Sequence, residues 1–152
     1  MHPKNLSRAE AIAVVGGLLL ALGLFLGWYH IENARNAING IKGPKTLSGW
    51  EAQPIIRYLL LAAAAAPLIL AYIIVRGHAL SWPRGEMTAV VAITAFGLIA
   101  YVTLISRPGT VRSLTSLEYG AFVALAGSLI MAGGAAVRAS TAERPRKPPG
   151  VL

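Results

Sequence analysis

Cysteine is missing from this chain of 152 residues, and charged residues are scarce. Without thiols the chain has no disulfide, thiolate zinc site, iron–sulfur cluster, cysteine nucleophile or acylated cysteine. Asp, Glu, Lys and Arg make up 13% of the residues, whereas soluble domains average about 25%. Hydrophobic residues make up 55%. These proportions predict an integral membrane protein.

Ionisable side chains are also missing from the centres of four long apolar runs, at residues 11–29, 54–75, 87–105 and 119–137. A helix of about 20 residues crosses the hydrocarbon layer, and the alternation typical of barrel strands is absent. The sequence therefore predicts an all-α fold, a four-helix transmembrane bundle with antiparallel neighbours. In this prediction residues 1–10 form a cytoplasmic tail, residues 30–53 an outer loop, and residues 138–152 a disordered basic tail near anionic lipid headgroups.

The formal net charge is +8, and all fourteen cations lie in tails, in loops or at the ends of the apolar runs. This placement favours lipid headgroups as partners and argues against nucleic acid. Four crossings put both termini on one side of the membrane. That side carries eight cations: Lys4, Arg8, Arg76, Arg84, Arg138, Arg144, Arg146 and Lys147. The other side carries six: Arg35, Lys42, Lys45, Arg57, Arg107 and Arg112. The excess predicts that both termini lie in the cytoplasm, with the chain in a bacterial inner membrane.

Trp and Tyr side chains prefer the two membrane–water interfaces, and here they lie near the ends of the apolar runs. The outer boundary is predicted at Trp28, Tyr29, Trp50, Tyr58, Tyr101 and Tyr119, and the inner boundary at Tyr72 and Trp82. Arg57 lies one turn into the second run, from which its long side chain reaches the outer headgroups. The predicted interfacial anchors are Trp28, Tyr29, Trp50, Arg57, Tyr58 and Trp82.

The long outer loop contains apolar residues at spacings of three or four: Ile31, Ala34, Ile38 and Ile41. This pattern predicts one or two helical turns lying on the membrane surface. Asn39-Gly40 and Gly43-Pro44 then predict turns that end this short helix.

Chemistry-bearing patterns are few. The three histidines, His2, His30 and His78, have no spacing typical of a metal site. Glu10 and Glu118 lie at helix starts, where capping the helix is the favoured role. The sequence predicts no catalytic, cofactor-binding or metal-binding residue, so we expect that the chain is not an enzyme.

Glycines give clearer signals, and these signals concern helix packing. Gly23 and Gly27 form a G-x-x-x-G pattern in the first run. The fourth run contributes Gly120, Gly127, Gly133 and Gly134. These faces are predicted to pack against each other, and the alternative is a homodimer or another membrane protein. Pro67 removes a backbone hydrogen bond from the second helix and predicts a kink there.

Four stretches carry a resemblance: Gly23 to Tyr29, Leu47 to Ala52, Arg107 to Gly109, and Gly120 to Gly134. They resemble small four-span membrane proteins of actinobacteria that read "LFLPWY … SGWEA" and end in a glycine-rich helix. Gly27 stands where that pattern has Pro. The resemblance implies the four-span topology and implies no activity.

The leading hypothesis is a non-enzymatic structural or accessory protein whose outer loop or glycine-lined faces contact other membrane proteins or lipids. The alternative is a small transporter or lipid-handling protein with Trp50, Arg57 and Tyr58 near an outer mouth and Pro67 as a hinge. A membrane-embedded enzyme is the third possibility.

Overall fold

The computed structural model describes residues 6–81 and 85–141. Within them the helices are α1 (Arg8–Phe25), α2 (Gly49–Ala52), α3 (Ile56–Val75), α4 (Glu86–Ala100) and α5 (Tyr119–Thr141). The strands are β1 (Gly27–Ile31), β2 (Ala37–Ile38), β3 (Ile41–Lys42), β4 (Lys45–Ser48) and β5 (Thr115–Leu117). A π-helical turn over Tyr101–Ile105 continues α4, and a 3₁₀ turn covers Arg112–Leu114.

Four helices in the described part of the chain are long and apolar enough to cross a membrane: Arg8–Phe25, Ile56–Val75, Glu86–Ile105 and Tyr119–Thr141. Their outward faces carry large apolar side chains, such as Leu22, Ile69, Ile93, Phe122 and Leu129, each more than half exposed. A soluble protein seldom exposes apolar surface on this scale, whereas hydrocarbon solvates it. The prediction of a mostly helical fold with four such helices is confirmed.

Helices α1 and α5 pack antiparallel through small residues. A Cβ added at Gly23 would lie 2.6 Å from the amide nitrogen of Ala124, and one added at Gly134 would lie 2.7 Å from that of Ala13. A Cβ added at Gly127 would lie 2.5 Å from the amide nitrogen of Leu20. The chain's own backbone therefore occupies these glycine faces. The first turn of α1 and the last turn of α5 therefore lie at the same end of the bundle, which we call the termini end.

Two of the predicted packing glycines do not belong to this helix contact. Gly27 lies in β1, because α1 ends at Phe25, so G-x-x-x-G is not a pattern of one helix here. An added Cβ at Gly133 would meet nothing within 4 Å, since this glycine points outward. Gly120 faces the end of α1 at Leu26 and Gly27.

The opposite end carries a three-stranded antiparallel sheet in the order β4-β1-β5, so the prediction of an all-α chain is wrong. Tyr29 pairs with Leu47 on one side and with Leu117 on the other. The predicted surface helix is also wrong, because Ile38 and Ile41 pair across the β2–β3 hairpin. We call residues 27–53 and 106–118 the cap.

Helix boundaries differ from the predicted ones by a few residues. A capping box explains the early start of α1: Ser7 Oγ accepts from the Glu10 amide, and the Glu10 carboxylate accepts from the Ser7 amide. Helix α5 continues to Thr141, so residues 138–141 are helical and are not part of a tail. Pro67 lies inside α3, where its ring faces Gly17. The rest of the predicted basic tail, and Trp82, lie outside the described residues.

Candidate functional site

The interior of the cap is built on two aromatic side chains that the sequence predicts at the membrane surface. Trp28 and Tyr29 are both 0% exposed, so their prediction as interfacial anchors is wrong. The β1–β4 pairing is irregular between Gly27 and Tyr29, and the Trp28 and Tyr29 side chains reach carbonyls at the ends of α1 and α4. The indole Nε1 of Trp28 donates to the carbonyl of Gly23 at 2.7 Å, and its ring lies against the backbone of Gly49. A side chain on Gly49 would enter the indole ring.

The hydroxyl of Tyr29 connects three parts of the chain. It donates to the carbonyl of Val102 in the π-helical turn at 3.0 Å and accepts from the Gln53 amide nitrogen at 3.3 Å. Carbonyls at a helix end lack amide partners within the helix. The Tyr29 hydroxyl supplies a donor to the carbonyl of Val102, and Arg107 Nε donates to the carbonyl of Thr103 at 3.0 Å. Burial raises the pKa of Tyr29 to about 12, although the hydrogen bond from Gln53 and the charge of Arg107 oppose the shift.

A second buried polar side chain, Asn36, joins the two loops of the cap. It is fully buried, and its Nδ2 donates to Thr115 Oγ1 at 2.7 Å. Its Oδ1 accepts from the amide of Val111 at 3.0 Å and from the hydroxyl of Thr110 at 3.3 Å. Residues 79 positions apart are therefore held together by bonds that leave this amide satisfied.

An aromatic–arginine cluster lies where the cap meets α1 and α3. The guanidinium carbon of Arg57 is 4.9 Å from the ring centroid of Trp50 and 4.8 Å from that of Tyr58. Its terminal nitrogens donate to the carbonyl of Trp50 and the hydroxyl of Tyr58. Phe25 stacks on Trp50 at 5.3 Å. Cation–π contacts of this kind hold a guanidinium at an apolar boundary. The predicted anchors Trp50, Arg57 and Tyr58 thus form one cluster.

Exposed cations outnumber exposed anions on the outer surface of the cap, where the exposed carboxylates are Glu32 and Glu51. Four basic side chains are exposed on it: Arg35, Lys42, Lys45 and Arg112. Lys45 lies 3.6 Å from the carboxylate of Glu51. A hydrogen bond from the backbone of Ser48 lowers the pKa of Glu51, and the charge of Lys45 acts in the same direction. The excess of cations attracts anionic groups through solvent over about 8 Å at physiological ionic strength.

The termini end holds an ion pair that the sequence analysis missed. Arg138 Nε lies 3.0 Å from Glu10 Oε1, and the Glu10 side chain is 4% exposed. The two residues are 128 positions apart. The available signal was topological, because an antiparallel α1 and α5 bring the first turn of one beside the last turn of the other. Pairing with Arg138 and with the Ser7 amide stabilises a carboxylate that would otherwise be costly to bury.

Groups typical of metal sites are not assembled in the described part of the chain: no three His, Asp or Glu side chains there could jointly hold a metal ion. His30 contacts the hydroxyl of Thr46 at 2.9 Å, and His78 lies in the exposed turn after α3. The arrangement that the structure does build is a packed, hydrogen-bonded cap with an excess of cations on its surface.

Three comparisons, with family models, with curated proteins and with solved structures, gave no match to this chain.

Proposed function

We propose that this chain is a non-enzymatic accessory protein of a bacterial inner membrane, and that the cap binds another membrane protein. The observation that carries the proposal is the joining of two separate loops into one folded unit, through the β4-β1-β5 sheet and the buried Asn36. Connections that only link helices need no such order, and fixing the backbone costs about 1–2 kcal/mol per residue. A rigid surface is suited to recognition.

The glycine-lined faces do not support the same role. Gly16, Gly23, Gly127 and Gly134 contact the neighbouring helix of the same chain, so a partner helix cannot approach them without displacing it. Of the two surfaces that the sequence offers for a partner, the cap is therefore the one we propose. Its exposed cations favour a partner with an acidic patch.

The resemblance to actinobacterial four-span proteins remains part of this proposal, together with the orientation that puts both termini in the cytoplasm. In that orientation the cap faces the outer side of the membrane. Trp50, Arg57 and Tyr58 then lie at the outer headgroups, where guanidinium and aromatic groups partition favourably.

Charge reversal on the cap tests the proposal. We expect Arg35→Glu combined with Lys42→Glu to remove a specific partner from affinity captures made in mild detergent and analysed by mass spectrometry. Arg76→Glu is the matched control, because Arg76 is exposed but lies beyond the far end of α3. Identical captures from the wild-type chain and the cap variant, with the fold intact by circular dichroism, would contradict the proposal.

A further inference from the structure

Arg57 carries a positive charge that the described part of the chain does not neutralise. The ion pairs formed there are Lys45–Glu51 and Arg138–Glu10, so this guanidinium is paired with no described carboxylate. Arg57 lies in the first turn of α3, which has no acidic residue and no side-chain cap. That turn is the positive end of the helix dipole, where an anion is favoured and a cation is not. An anion beside Arg57 would therefore compensate both the guanidinium and the helix end.

The hydrogen-bond donors of this guanidinium are only partly used. Its Nε is buried and has no hydrogen-bond partner among the described residues. Nη1 donates to the carbonyl of Trp50 at 3.3 Å, and Nη2 donates to the hydroxyl of Tyr58 at 3.0 Å. A guanidinium has five N–H donors, so one more remains on each terminal nitrogen. Folded proteins seldom hold a buried donor and an unpaired charge together, because both are costly.

The unused donors lie on the exposed side of the cluster. The hydrogen bond between Nη2 and the Tyr58 hydroxyl is exposed, whereas the one to Trp50 is partly buried. The Tyr58 oxygen accepts from Arg57, so its own hydrogen can donate to another group. Nη2 and this hydroxyl therefore offer two donors whose heavy atoms are 3.0 Å apart. Adjacent donors of this kind, one of them charged, suit the oxygens of a phosphate.

The aromatic rings hold these donors in place. The rings of Trp50 and Tyr58 lie 5.6 Å apart at an angle of 73°, and the guanidinium contacts both of them. Phe25 stacks on Trp50 from the end of α1. An arginine that only anchors a helix keeps a mobile side chain in the headgroup layer. A guanidinium held by two rings loses less conformational entropy when it binds, so it is suited to a specific ligand.

The surroundings of the cluster indicate where the anion comes from. Phe25, Ile55 and Leu59 are each more than half exposed, and Phe25 and Leu59 belong to helices long and apolar enough to cross a membrane. A ligand on this side therefore meets a polar group beside apolar ones, as a phospholipid does at the boundary between headgroups and hydrocarbon. A carboxylate on a partner helix would have to be placed at the same apolar boundary, which is costly.

We propose that Arg57 and Tyr58 bind the phosphate of one phospholipid, whose acyl chains contact Phe25 and Leu59. Both leaflets of a bilayer contain phosphates, so this inference depends neither on the orientation of the chain nor on a partner for the cap.

Removal of the phosphate or of the guanidinium tests the site. We expect native mass spectrometry in mild detergent to show one dioleoyl phosphatidic acid bound at least about tenfold more tightly than dioleoylglycerol, a difference of about 1.4 kcal/mol. Arg57→Gln should remove this preference, because the phosphate loses its charged donor. Arg76→Gln is the matched control and should keep it. Arg76 also lies beside a tyrosine ring, 5.2 Å from that of Tyr72, but at the C-terminal end of α3, where the helix carbonyls compensate its charge.

The ratio between the two lipids isolates the phosphate contact, because a loss of fold would weaken the binding of both together. An unchanged ratio in Arg57→Gln would overturn the proposal. Equal losses in Arg57→Gln and Arg76→Gln would also overturn it, since they would show a general effect of charge.

Tyr58→Phe tests the second donor and keeps the ring beside the guanidinium. We expect this variant to bind phosphatidic acid about threefold to tenfold more weakly and dioleoylglycerol unchanged, as for the loss of one hydrogen bond. Tyr119→Phe, at an exposed position at the start of α5, should bind both lipids as the wild-type chain does. Equal binding of phosphatidic acid by the two variants would exclude the hydroxyl contact.

Inorganic phosphate distinguishes a lipid from a free ion. At constant ionic strength, an excess of phosphate should not displace phosphatidic acid, because the ion has no acyl chains to contact the apolar side chains. Displacement would assign the site to the free ion and refute the lipid. If Arg57→Gln instead loses a co-purified protein and keeps its lipid preference, the anion belongs to a protein partner and the proposal is wrong.

Discussion

Burial of the Tyr29 hydroxyl couples the stability of the cap to alkaline pH. The fold favours the neutral hydroxyl, since burial raises the pKa from its ordinary value of 10.0 to about 12. The stability that Tyr29 contributes is therefore fully present below pH 10 and is lost as pH rises through about 12. A shift of this size corresponds to about 3 kcal/mol.

Replacing Tyr29 with Phe tests this coupling. We expect Tyr29→Phe to unfold with less pH dependence between pH 10 and 12, and to lose the corresponding tyrosinate step in absorbance at 295 nm. At neutral pH the variant should be less stable by about 1–3 kcal/mol, because the carbonyl of Val102 loses its donor. Tyr119→Phe, at an exposed position, is the control, and persistence of the alkaline step in Tyr29→Phe would refute the assignment.

Asn36 is the residue on which the joining of the two loops depends. Asn36→Ala should reduce the free energy of unfolding by about 2–3 kcal/mol, because the partly buried Val111 amide loses its acceptor and the buried Thr115 hydroxyl loses the donor Nδ2. Hydrogen exchange of the β1 and β5 amides should accelerate in parallel. Asn33→Ala removes only an exposed contact to the Arg35 amide, so it should change both quantities little. Equal effects of the two substitutions would contradict the role given to Asn36.

At the scale of helices, two adjacent glycines of α5 have different surroundings: Gly134 packs against α1, whereas Gly133 faces open space. Gly134→Ala should destabilise the α1–α5 contact, since the added Cβ would lie 2.7 Å from Ala13 N and Ala9 O. Gly133→Ala should be neutral or stabilising by up to about 1 kcal/mol, because alanine favours a helix and the position is open. Thermal unfolding in detergent measures both. Equal losses of stability in the two variants would contradict the close contact between Gly134 and the backbone of α1.

The four helices long and apolar enough to cross a membrane could be predicted from sequence, because long apolar segments leave a continuous signal. The sheet could not. Strand β1 directly follows α1, and its sequence, Gly27 to Ile31, continues the aromatic end of an apolar run. Strand β1 pairs with β4, which is near in sequence, and with β5, which is more than eighty positions away. The residue pattern of one strand does not indicate which strands it pairs with. Ile31, Ile38 and Ile41 fit helical spacing by coincidence. They belong to separate short strands joined by turns, so their spacing along the chain does not come from one helix.

The candidate site was only partly predictable for the same reason. Trp50, Arg57 and Tyr58 could be singled out because they lie near each other in sequence and share a preference for interfaces. The Glu10–Arg138 pair and the Asn36 contacts depend on distant segments. Trp28 and Tyr29 have amphipathic side chains that suit an interface as well as a hydrogen-bonded core, so residue type alone does not distinguish the two.

For the whole molecule, the absence of cysteine makes orientation directly measurable. We expect a membrane-impermeant maleimide, added to intact cells, to label Lys42→Cys in the cap and not Arg144→Cys in the C-terminal segment. After the membrane is opened, both should react. Labelling of Arg144→Cys in intact cells would reverse the proposed orientation, and with it the side on which the cap meets a partner.

The cap also joins one end of each of the four long apolar helices that the structure describes. Helix α1 leads into β1, α3 follows α2, α4 ends at the carbonyl held by Tyr29, and α5 follows β5. A rotation of one helix at this end must therefore strain a shared set of hydrogen bonds. At the termini end, the described contact between α1 and α5 is one ion pair beside small side chains. Shared hydrogen bonds thus couple all four long helices at the capped end, whereas at the termini end an ion pair joins the first helix to the last.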